Sequence, residues 1–368
     1  MQWQDTGFAA YSYLFANFVI QFLAWSYAFS YAVFLPYYRD VLFRDHANIS
    51  LLSLIGTLAT GIMYVNALVV MRICPRYPWI KRPMMLAGLL TATLALVGAA
   101  FATEPWQLVL TQGVMFSVGG SFLYYPASSL LMEWFVKRRG LANGIIFSGT
   151  GIGGVVVPFM VNALLHKYGK RTTFLVMVSA IAAAVMCGCT LPVLPLLKSR
   201  LPDRSASARQ AAKINYSVFK SIPLWCLIVS NWMQSMGHSI PLLWLPTFAS
   251  DMHLSGLSGV LVIALLNGAS VPGRIFMGYC SDHYDLRIPM LLTSVAPALG
   301  VLFLWGFTSN LALLVVFAVY HGFLGGGFSS MWPRFVSSVA KDDPHTSSFL
   351  LATFYAGMYS SYLRTASS

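Results

Sequence analysis

The sequence is poor in charged residues. Asp, Glu, Lys and Arg together make up 9% of its 368 residues, whereas about 25% is usual for a soluble globular domain. Hydrophobic residues make up 57%. A chain of this composition cannot cover a folded surface with charge, so we exclude a water-soluble globular protein and infer one that lies in a lipid bilayer.

Acidic residues are the scarcest charged group, with 11 Asp and Glu against 23 Lys and Arg, which gives a net charge of +12. An excess of positive charge can indicate a nucleic-acid surface when the cations cluster on one folded face. Here the cations lie in short gaps between long apolar runs. We therefore predict no nucleic-acid partner and interpret the cations as residues at the edges of membrane spans.

Motifs for catalysis, metal binding and cofactor binding are also lacking. The five cysteines form no C-x-x-C pair and have no histidines at zinc-ligand spacing. The glycines between residues 144 and 154 match neither the dinucleotide-binding pattern nor the P-loop. We therefore predict a protein that is not an enzyme and that binds no cofactor and no metal.

Long apolar runs occupy most of the chain. Runs of about 17 to 25 apolar residues are long enough to cross a bilayer as α-helices. Ten clear runs and a shorter eleventh are present, so we predict an all-α, polytopic membrane protein. The runs lie near residues 15–37, 50–72, 84–103, 107–132, 141–165, 172–197, 223–248, 256–280, 288–308, 310–336 and 346–363.

Lys and Arg are unevenly shared between the two sets of loops. If the N-terminus is cytoplasmic, the inner loops hold sixteen of these cations and the outer loops hold five. Cytoplasmic loops normally carry the excess. We therefore expect a cytoplasmic N-terminus, and a location in the plasma membrane rather than in an internal membrane.

A polar segment at residues 198–221 interrupts the apolar runs after six spans. Its basic, Ser- and Ala-rich composition is typical of a linker between two halves. We predict a six-helix half at 1–197, a basic cytoplasmic linker at 198–222 and a second half at 223–368. Ten or eleven spans fall short of six plus six, so we expect the second half to lack its last helix, unless the protein is a shorter one.

Two stretches of sequence resemble a known transporter family. "WFVKRRGLANGIIFSGTGIGG" (residues 134–154) runs from two aromatic residues through three cations into a glycine-rich span, and "VPGRIFMGYCSDHYDLR" (271–287) carries a Gly-Arg pair. The first resembles the opening of helix 5 in the monocarboxylate porters of the major facilitator superfamily, and the second resembles their helix 8–9 element. The matching positions are Lys137, Arg138, Arg139, Gly144, Gly149, Gly273, Arg274, Gly278 and Asp282.

The resemblance implies a major facilitator fold of six plus six helices, alternating access between the halves, and a small organic anion as the solute, as in fungal monocarboxylate-porter-like proteins. The three cations would anchor the topology or take part in gating. The glycines would let helix 5 pack closely on a neighbouring helix, and Pro158 predicts a bend in the same helix.

We expect Arg274 to bind the substrate, because the matching arginine is the substrate anchor in the family and a guanidinium offers a bidentate fork to a carboxylate. A gating role, with Asp282 as the partner, is the alternative. Animal members of the family carry a lysine where this chain has Tyr31 and an aspartate where it has Ser270. Without both residues, the resemblance does not support a proton-and-carboxylate relay of the animal type.

Every acidic residue falls in a loop or at a helix edge, so the clear ionisable side chains within the apolar runs are Arg274, His238 and His321. Histidine titrates near neutral pH, which makes the two histidines candidates for proton coupling, or else structural hydrogen-bonding groups. Other polar side chains are candidate substrate contacts, with hydrogen bonding between helices as the alternative. These are Tyr31, Tyr124, Asn231, Gln234 and Asn267.

We therefore expect a secondary transporter that moves a small, monocarboxylate-like anion, with or without a coupled proton. The alternatives are a transporter of a neutral or larger solute, and a non-transporting membrane sensor or decayed paralogue. A small molecule and the lipid bilayer are the expected partners.

Overall fold

The protein is built from α-helices that follow the predicted apolar runs. A computed structural model describes residues 5–43, 49–190, 216–252, 256–340 and 343–367. These residues contain no β-strand, and the all-α prediction is confirmed. The main helices are α1 (Phe8–Tyr37), α2 (Ile49–Arg76), α3 (Lys81–Phe101), α4 (Pro105–Leu108, the π-helical Val109–Met115 and Phe116–Ser129), α5 and α6 (139–168 and 170–190 within Arg139–Thr190), α7 (Ile222–Asp251), α8 (Gly256–His283), α9 (Arg287–Leu299 and the π-helical Gly300–Trp305), α10 (Leu311–Gly325) and α11 (Pro344–Ser367).

Within the described ranges, eight helical stretches are long and apolar enough to cross a membrane. One of them, Arg139–Ile181, has 43 residues, which is about twice the number that a single crossing needs. Gly169 divides this stretch, because its φ of 75° lies in the left-handed region that glycine adopts without strain. Helices α5 and α6 are therefore two spans joined at Gly169, whereas Pro158, where the sequence predicts a bend, lies within helical backbone.

The predicted linker at 198–222 lies mostly outside the described residues. Helix α7 begins at Ile222, next to the predicted start of the second half. We call α1–α6 the first half and α7–α11 the second half.

Three clusters of buried apolar side chains show how the halves meet. We call the membrane side that holds Lys137–Arg139 the KRR side. The cluster on that side, which we call the shared core, takes residues from both halves, among them Met71, Ile146, Trp332 and Leu351. The other two clusters lie toward the opposite side, and each is confined to one half. The halves are therefore packed together on the KRR side and have separate cores on the other side.

Helices α5 and α8 pack directly on each other where the halves meet. A Cβ atom at Gly144 would overlap the carbonyl oxygen of Arg274, and Gly278 of α8 lies equally close to the backbone of α5. The other two signature glycines make close contacts elsewhere: Gly149 lies against α1, and Gly273 lies against the end of α10. Glycine at these positions allows helix backbones to approach as small residues do in membrane proteins.

Candidate functional site

Arg274 lies where the two halves meet. The residue is 8% exposed, and its Nη1 donates a hydrogen bond to the carbonyl oxygen of Phe147 on α5. Its Nε donates to the carbonyl oxygen of Gly326, directly after α10, at 3.3 Å. The guanidinium therefore joins α8 to a helix of the first half and to a neighbour in its own half.

No described carboxylate forms an ion pair with Arg274. The ion pairs in that part of the chain involve other cations, namely Arg39, Lys81 and Arg334. One turn before Arg274, the hydroxyl of Ser270 donates to the carbonyl oxygen of Asn267 at 2.7 Å, where an aspartate would supply a negative charge. A charge inside a membrane is costly and usually marks a functional site.

His238 on α7 and His321 on α10 stack on each other, and we call them the histidine pair. Their ring centroids are 5.6 Å apart and their planes differ by 6°. His321 is 2% exposed. Among the described residues, neither ring nitrogen of His321 has a hydrogen-bond partner, and the same holds for Nδ1 of His238. Since buried polar atoms are normally hydrogen-bonded, these nitrogens are available to take up a proton or a polar ligand.

The histidine pair and Arg274 meet at one short stretch of backbone. A Cβ atom at Gly325 would lie 3.3 Å from Nε2 of His321 and 3.4 Å from Nδ1 of His238. The next residue, Gly326, is the one whose carbonyl oxygen accepts from Arg274. The structure thus brings together three ionisable side chains that the sequence identifies only one by one.

The polar face of α7 makes hydrogen bonds to other helices of the second half. Asn231 Nδ2 donates to the carbonyl oxygen of Phe354 on α11 at 3.0 Å. Gln234 Nε2 donates to the carbonyl oxygen of Thr293 on α9 at 2.9 Å. Both side chains therefore form hydrogen bonds between helices, which is the alternative to substrate contact that the sequence left open for them. Oδ1 of Asn231 has no partner among the described residues.

The remaining candidate substrate contacts lie in different places. Asn267 Nδ2 donates to a carbonyl oxygen of its own helix, and its side chain lies 3.2 Å from a Cβ atom built at Gly154 on α5. The hydroxyl of Tyr31 donates to the carbonyl oxygen of Leu52, within the first half and toward the opposite side. Asn267 therefore lies near Arg274 at the contact between the halves, whereas Tyr31 lies away from it.

Tyr124 belongs to a group of aromatic residues that crosses the contact between the halves. Its hydroxyl oxygen lies 2.6 Å from that of Tyr355 on α11. Neighbouring rings in the group have centroids 4.9 to 5.9 Å apart. We call this group the interface aromatic cluster; its members are Trp25, Tyr64, Tyr124, Tyr125, Trp332 and Tyr355.

Two carboxylates converge on the start of α5. Asp5 accepts from the backbone N–H groups of residues 136, 137 and 138. Asp282, at the end of α8, accepts from the N–H groups of Gly140 at 2.9 Å and Leu141 at 2.8 Å. Carboxylates at a helix N-terminus satisfy unpaired N–H groups and oppose the helix dipole. The sequence gives a signal for Asp282, which lies in the family element "VPGRIFMGYCSDHYDLR".

The three signature cations have different environments. Lys137 and Arg138 have exposed side chains, whereas Arg139 is 7% exposed and its Nε donates to the carbonyl oxygen of Phe135 at 2.9 Å. The neighbouring Glu133 accepts from Nζ of Lys81 at 2.8 Å. Lys81 is therefore buried in an ion pair with Glu133 of the short helix Leu131–Trp134, which follows α4, and is not an exposed loop cation.

Comparison with protein families supports a transporter fold. The family model described as Major Facilitator Superfamily matches residues 14–361, which include nearly all the described helices.

Curated fungal transporters are similar to this chain over most of its length. MFS-type transporter hasB of Aspergillus fumigatus is 27% identical over 346 residues, which cover 91% of this chain and 76% of that protein. Fujikurins efflux protein of Gibberella fujikuroi is 26% identical over 328 residues, which cover 89% of this chain and 68% of that protein. Probable transporter MCH2 of Saccharomyces cerevisiae is 27% identical over 259 residues, which cover 69% of this chain and 52% of that protein.

Proposed function

Because this chain belongs to the major facilitator superfamily, we propose that it carries a small organic anion across the membrane by alternating access, with Arg274 as the group that recognises the anion. The protein is a multi-pass membrane transporter and not an enzyme.

The observation that carries the proposal is the buried guanidinium of Arg274 without a described carboxylate partner. Its Nε and Nη1 are engaged with carbonyl oxygens, and a guanidinium has five N–H donors. A carboxylate fits the remaining donors and supplies the missing negative charge. Since Arg274 lies where the halves meet, an anion bound there would be reached from either side as the contact between the halves opens and closes.

The packing of the halves supports alternating access. The shared core closes the KRR side, while the separate cores leave the halves independent toward the opposite side. The glycine contacts between α5 and α8 allow the backbones to slide past each other at short distance. By the positive-inside rule we propose that the KRR side is cytoplasmic, and that the chain resides in the plasma membrane.

Uptake into vesicles that contain the purified protein tests this proposal. We expect saturable uptake of radiolabelled lactate or acetate, and a decrease of at least about tenfold in Arg274→Gln, because hydrogen bonds to a charged group contribute about 1.5–3 kcal/mol. The matched control is Arg287→Gln, which removes an exposed arginine at the start of α9. Equal uptake by both variants would contradict the role of Arg274, and empty vesicles correct for passive entry of the acids.

Export of a larger, mainly apolar solute is a second candidate. The interface aromatic cluster lies between the halves and offers six rings to such a solute, and two relatives are named as efflux proteins, for fujikurins and for agnestins. Cells that express the chain should then release preloaded rhodamine 6G faster than control cells, and Trp332→Ala should slow that release. Lactate uptake that depends on Arg274, without any export of the dye, would decide for the small anion.

A further inference from the structure

We infer that the turn between α2 and α3 on the KRR side binds the head group of an anionic phospholipid. The binding groups are two arginines in the last turns of α2 and two aromatic residues that follow them. The inference concerns a surface away from Arg274, so it does not depend on which solute the protein carries.

Arg72 and Arg76 are exposed cations on one face of α2. They are four residues apart, so their side chains are neighbours on the helix surface. The ion pairs of the described residues involve other cations, and no described carboxylate neutralises either guanidinium. Since a guanidinium binds a phosphate through two parallel hydrogen bonds, the charge of this surface suits a phosphate group.

Two exposed aromatic side chains adjoin the arginines. Trp79 is 68% exposed and Tyr77 is 44% exposed. The guanidinium of Arg76 lies 5.7 Å from the centroid of the Tyr77 ring. Trp and Tyr are enriched at the level where lipid head groups meet the acyl chains. Arginine and aromatic side chains together can therefore contact the charged and the apolar part of one lipid molecule.

The arginine face of α2 continues into the bilayer with apolar side chains. Val65 and Val69 are 51% and 53% exposed and precede Arg72 and Arg76 at helical spacing. The exposed side chains of α3 beyond the turn include Leu86, Leu90 and Leu94. Acyl chains pack on such faces, whereas a free phosphate ion gains nothing from them. The surface therefore favours a phospholipid over a soluble anion.

The corresponding turn of the second half carries the opposite charge. Arg76 is the fifth residue before α3, whereas Asp282 is the fifth residue before α9. The second residue before these helices is Trp79 in the first half and Asp285 in the second half. Carboxylates at the second turn repel a phosphate, so the proposed lipid site belongs to the first half alone.

The hydrogen bonds of the two turns agree with this difference. Asp282 is engaged with the start of α5, across the contact between the halves. The start of α11 is capped within its own half, since the N–H group of Thr346 donates to Oδ2 of Asp343 at 2.9 Å. Among the described residues, Arg76 makes no equivalent bond across the halves, and its exposed guanidinium can take a ligand from the membrane.

Tryptophan fluorescence of the full chain in phosphatidylcholine nanodiscs tests the inference. The discs contain a small fraction of brominated phosphatidylserine or the same fraction of brominated phosphatidylcholine, because bromine quenches nearby tryptophans. The signal of Trp79 is the difference between the wild type and Trp79→Phe, which keeps an aromatic ring. We expect stronger quenching of this signal by brominated phosphatidylserine. Trp106, which is 58% exposed on the opposite side, should be quenched equally by both lipids, as measured with Trp106→Phe.

Substitution of the arginines tests the role of charge. Arg72→Gln together with Arg76→Gln should weaken the preference for phosphatidylserine by about tenfold or more, since each cation near an anionic membrane surface contributes about fivefold. Arg72→Lys together with Arg76→Lys keeps both charges and should retain most of the preference. The matched control is Arg287→Gln, which removes the exposed arginine at the corresponding turn and should leave the preference unchanged.

Three results would overturn the inference. Equal quenching of Trp79 by the two brominated lipids would mean that lipids surround the turn without selection. A preference that persists without Arg72 and Arg76, or that Arg287→Gln abolishes as well, would show that these two arginines do not form the site. Relief of the quenching by inorganic phosphate would show that the site takes a free anion rather than a lipid. Uptake that depends on Arg274 is measured separately and is unaffected by any of these results.

Discussion

Among single residues, Lys81 and Glu133 form a buried ion pair that joins the start of α3 to the short helix Leu131–Trp134, which follows α4. The distance from Nζ to Oε1 is 2.8 Å, and the side chains are 2% and 7% exposed. Glu133→Gln removes the negative charge and leaves the ammonium buried, and breaking a buried pair from one side costs about 3–5 kcal/mol. We expect a clear loss of thermal stability, measured by tryptophan fluorescence of the protein in detergent.

The double variant Lys81→Met with Glu133→Gln is the informative comparison. It removes both charges, so it should recover much of the stability lost in Glu133→Gln alone. Asp40→Asn, which breaks the exposed pair with Arg39, should change stability little because exposed pairs are screened by water. If Glu133→Gln were as stable as Asp40→Asn, the buried pair would have no structural role.

The sequence identifies some of these residues and not their partners. Arg274, His238 and His321 stand out because ionisable side chains are rare in apolar runs. Their common location at Gly325 and Gly326 could not be predicted, because it depends on how each helix is rotated about its axis in the packed protein. The same limit explains why Lys81, which lies beside other loop cations in the sequence, is in fact buried against another helix.

At the scale of elements, the start of α5 is held from both halves. Asp282 belongs to the second half and accepts from Gly140 and Leu141, so its hydrogen bonds must break when the halves separate on the KRR side. Asp282→Asn weakens them by removing the charge. We expect the conformation with separated halves to become more populated. The measurement is the rate at which a thiol reagent labels a cysteine introduced at position 143, because the amide of Asn143 contacts the second half. That rate should increase in Asp282→Asn.

Asp5→Asn is the matched control, because Asp5 caps the same turn but belongs to the first half. Its hydrogen bonds can persist in both conformations. The variant should lower stability, since an N-terminal cap contributes about 0.5–2 kcal/mol, without faster labelling at residue 143. Equal acceleration of labelling by Asp5→Asn and Asp282→Asn would argue against a state-dependent contact at Asp282.

Helix positions follow closely from the apolar runs, because a bilayer requires long helices with apolar side chains. The irregularities within them do not. The π-helical Val109–Met115 in α4 has the same apolar composition as its neighbours, and a change in hydrogen-bond spacing leaves no trace in hydropathy. Similarly, Pro158 predicts a bend that the helical backbone of α5 does not show, whereas Gly169, in the polar stretch between two runs, marks the actual break.

At the scale of the whole molecule, the repeated spans and the family signature lead to the major facilitator fold, which the family match confirms. The conformation could not be predicted in this way. The residues of the shared core and those of the two separate cores are all apolar, so the sequence pattern predicts burial for all of them. The same pattern fits a packing in which the halves meet on the KRR side and one in which they meet on the opposite side. Hydrophobicity alone therefore does not distinguish the two conformations.

A link between the halves on the KRR side tests whether this packing is one state of a transport cycle. The hydroxyl of Tyr64 on α2 lies 3.6 Å from the sulfur of Met358 on α11, so the two side chains meet across the contact between the halves. Cysteines at both positions, in a chain whose five native cysteines are replaced, can be joined by a cleavable bis-thiol reagent. If the KRR side must open, the link should stop uptake, and its cleavage should restore uptake.

The same reagent on either single cysteine variant should have little effect, because it leaves the halves free to separate. Continued uptake with the link in place would mean that the solute crosses without separation of α2 from α11, and alternating access through this contact would have to be abandoned.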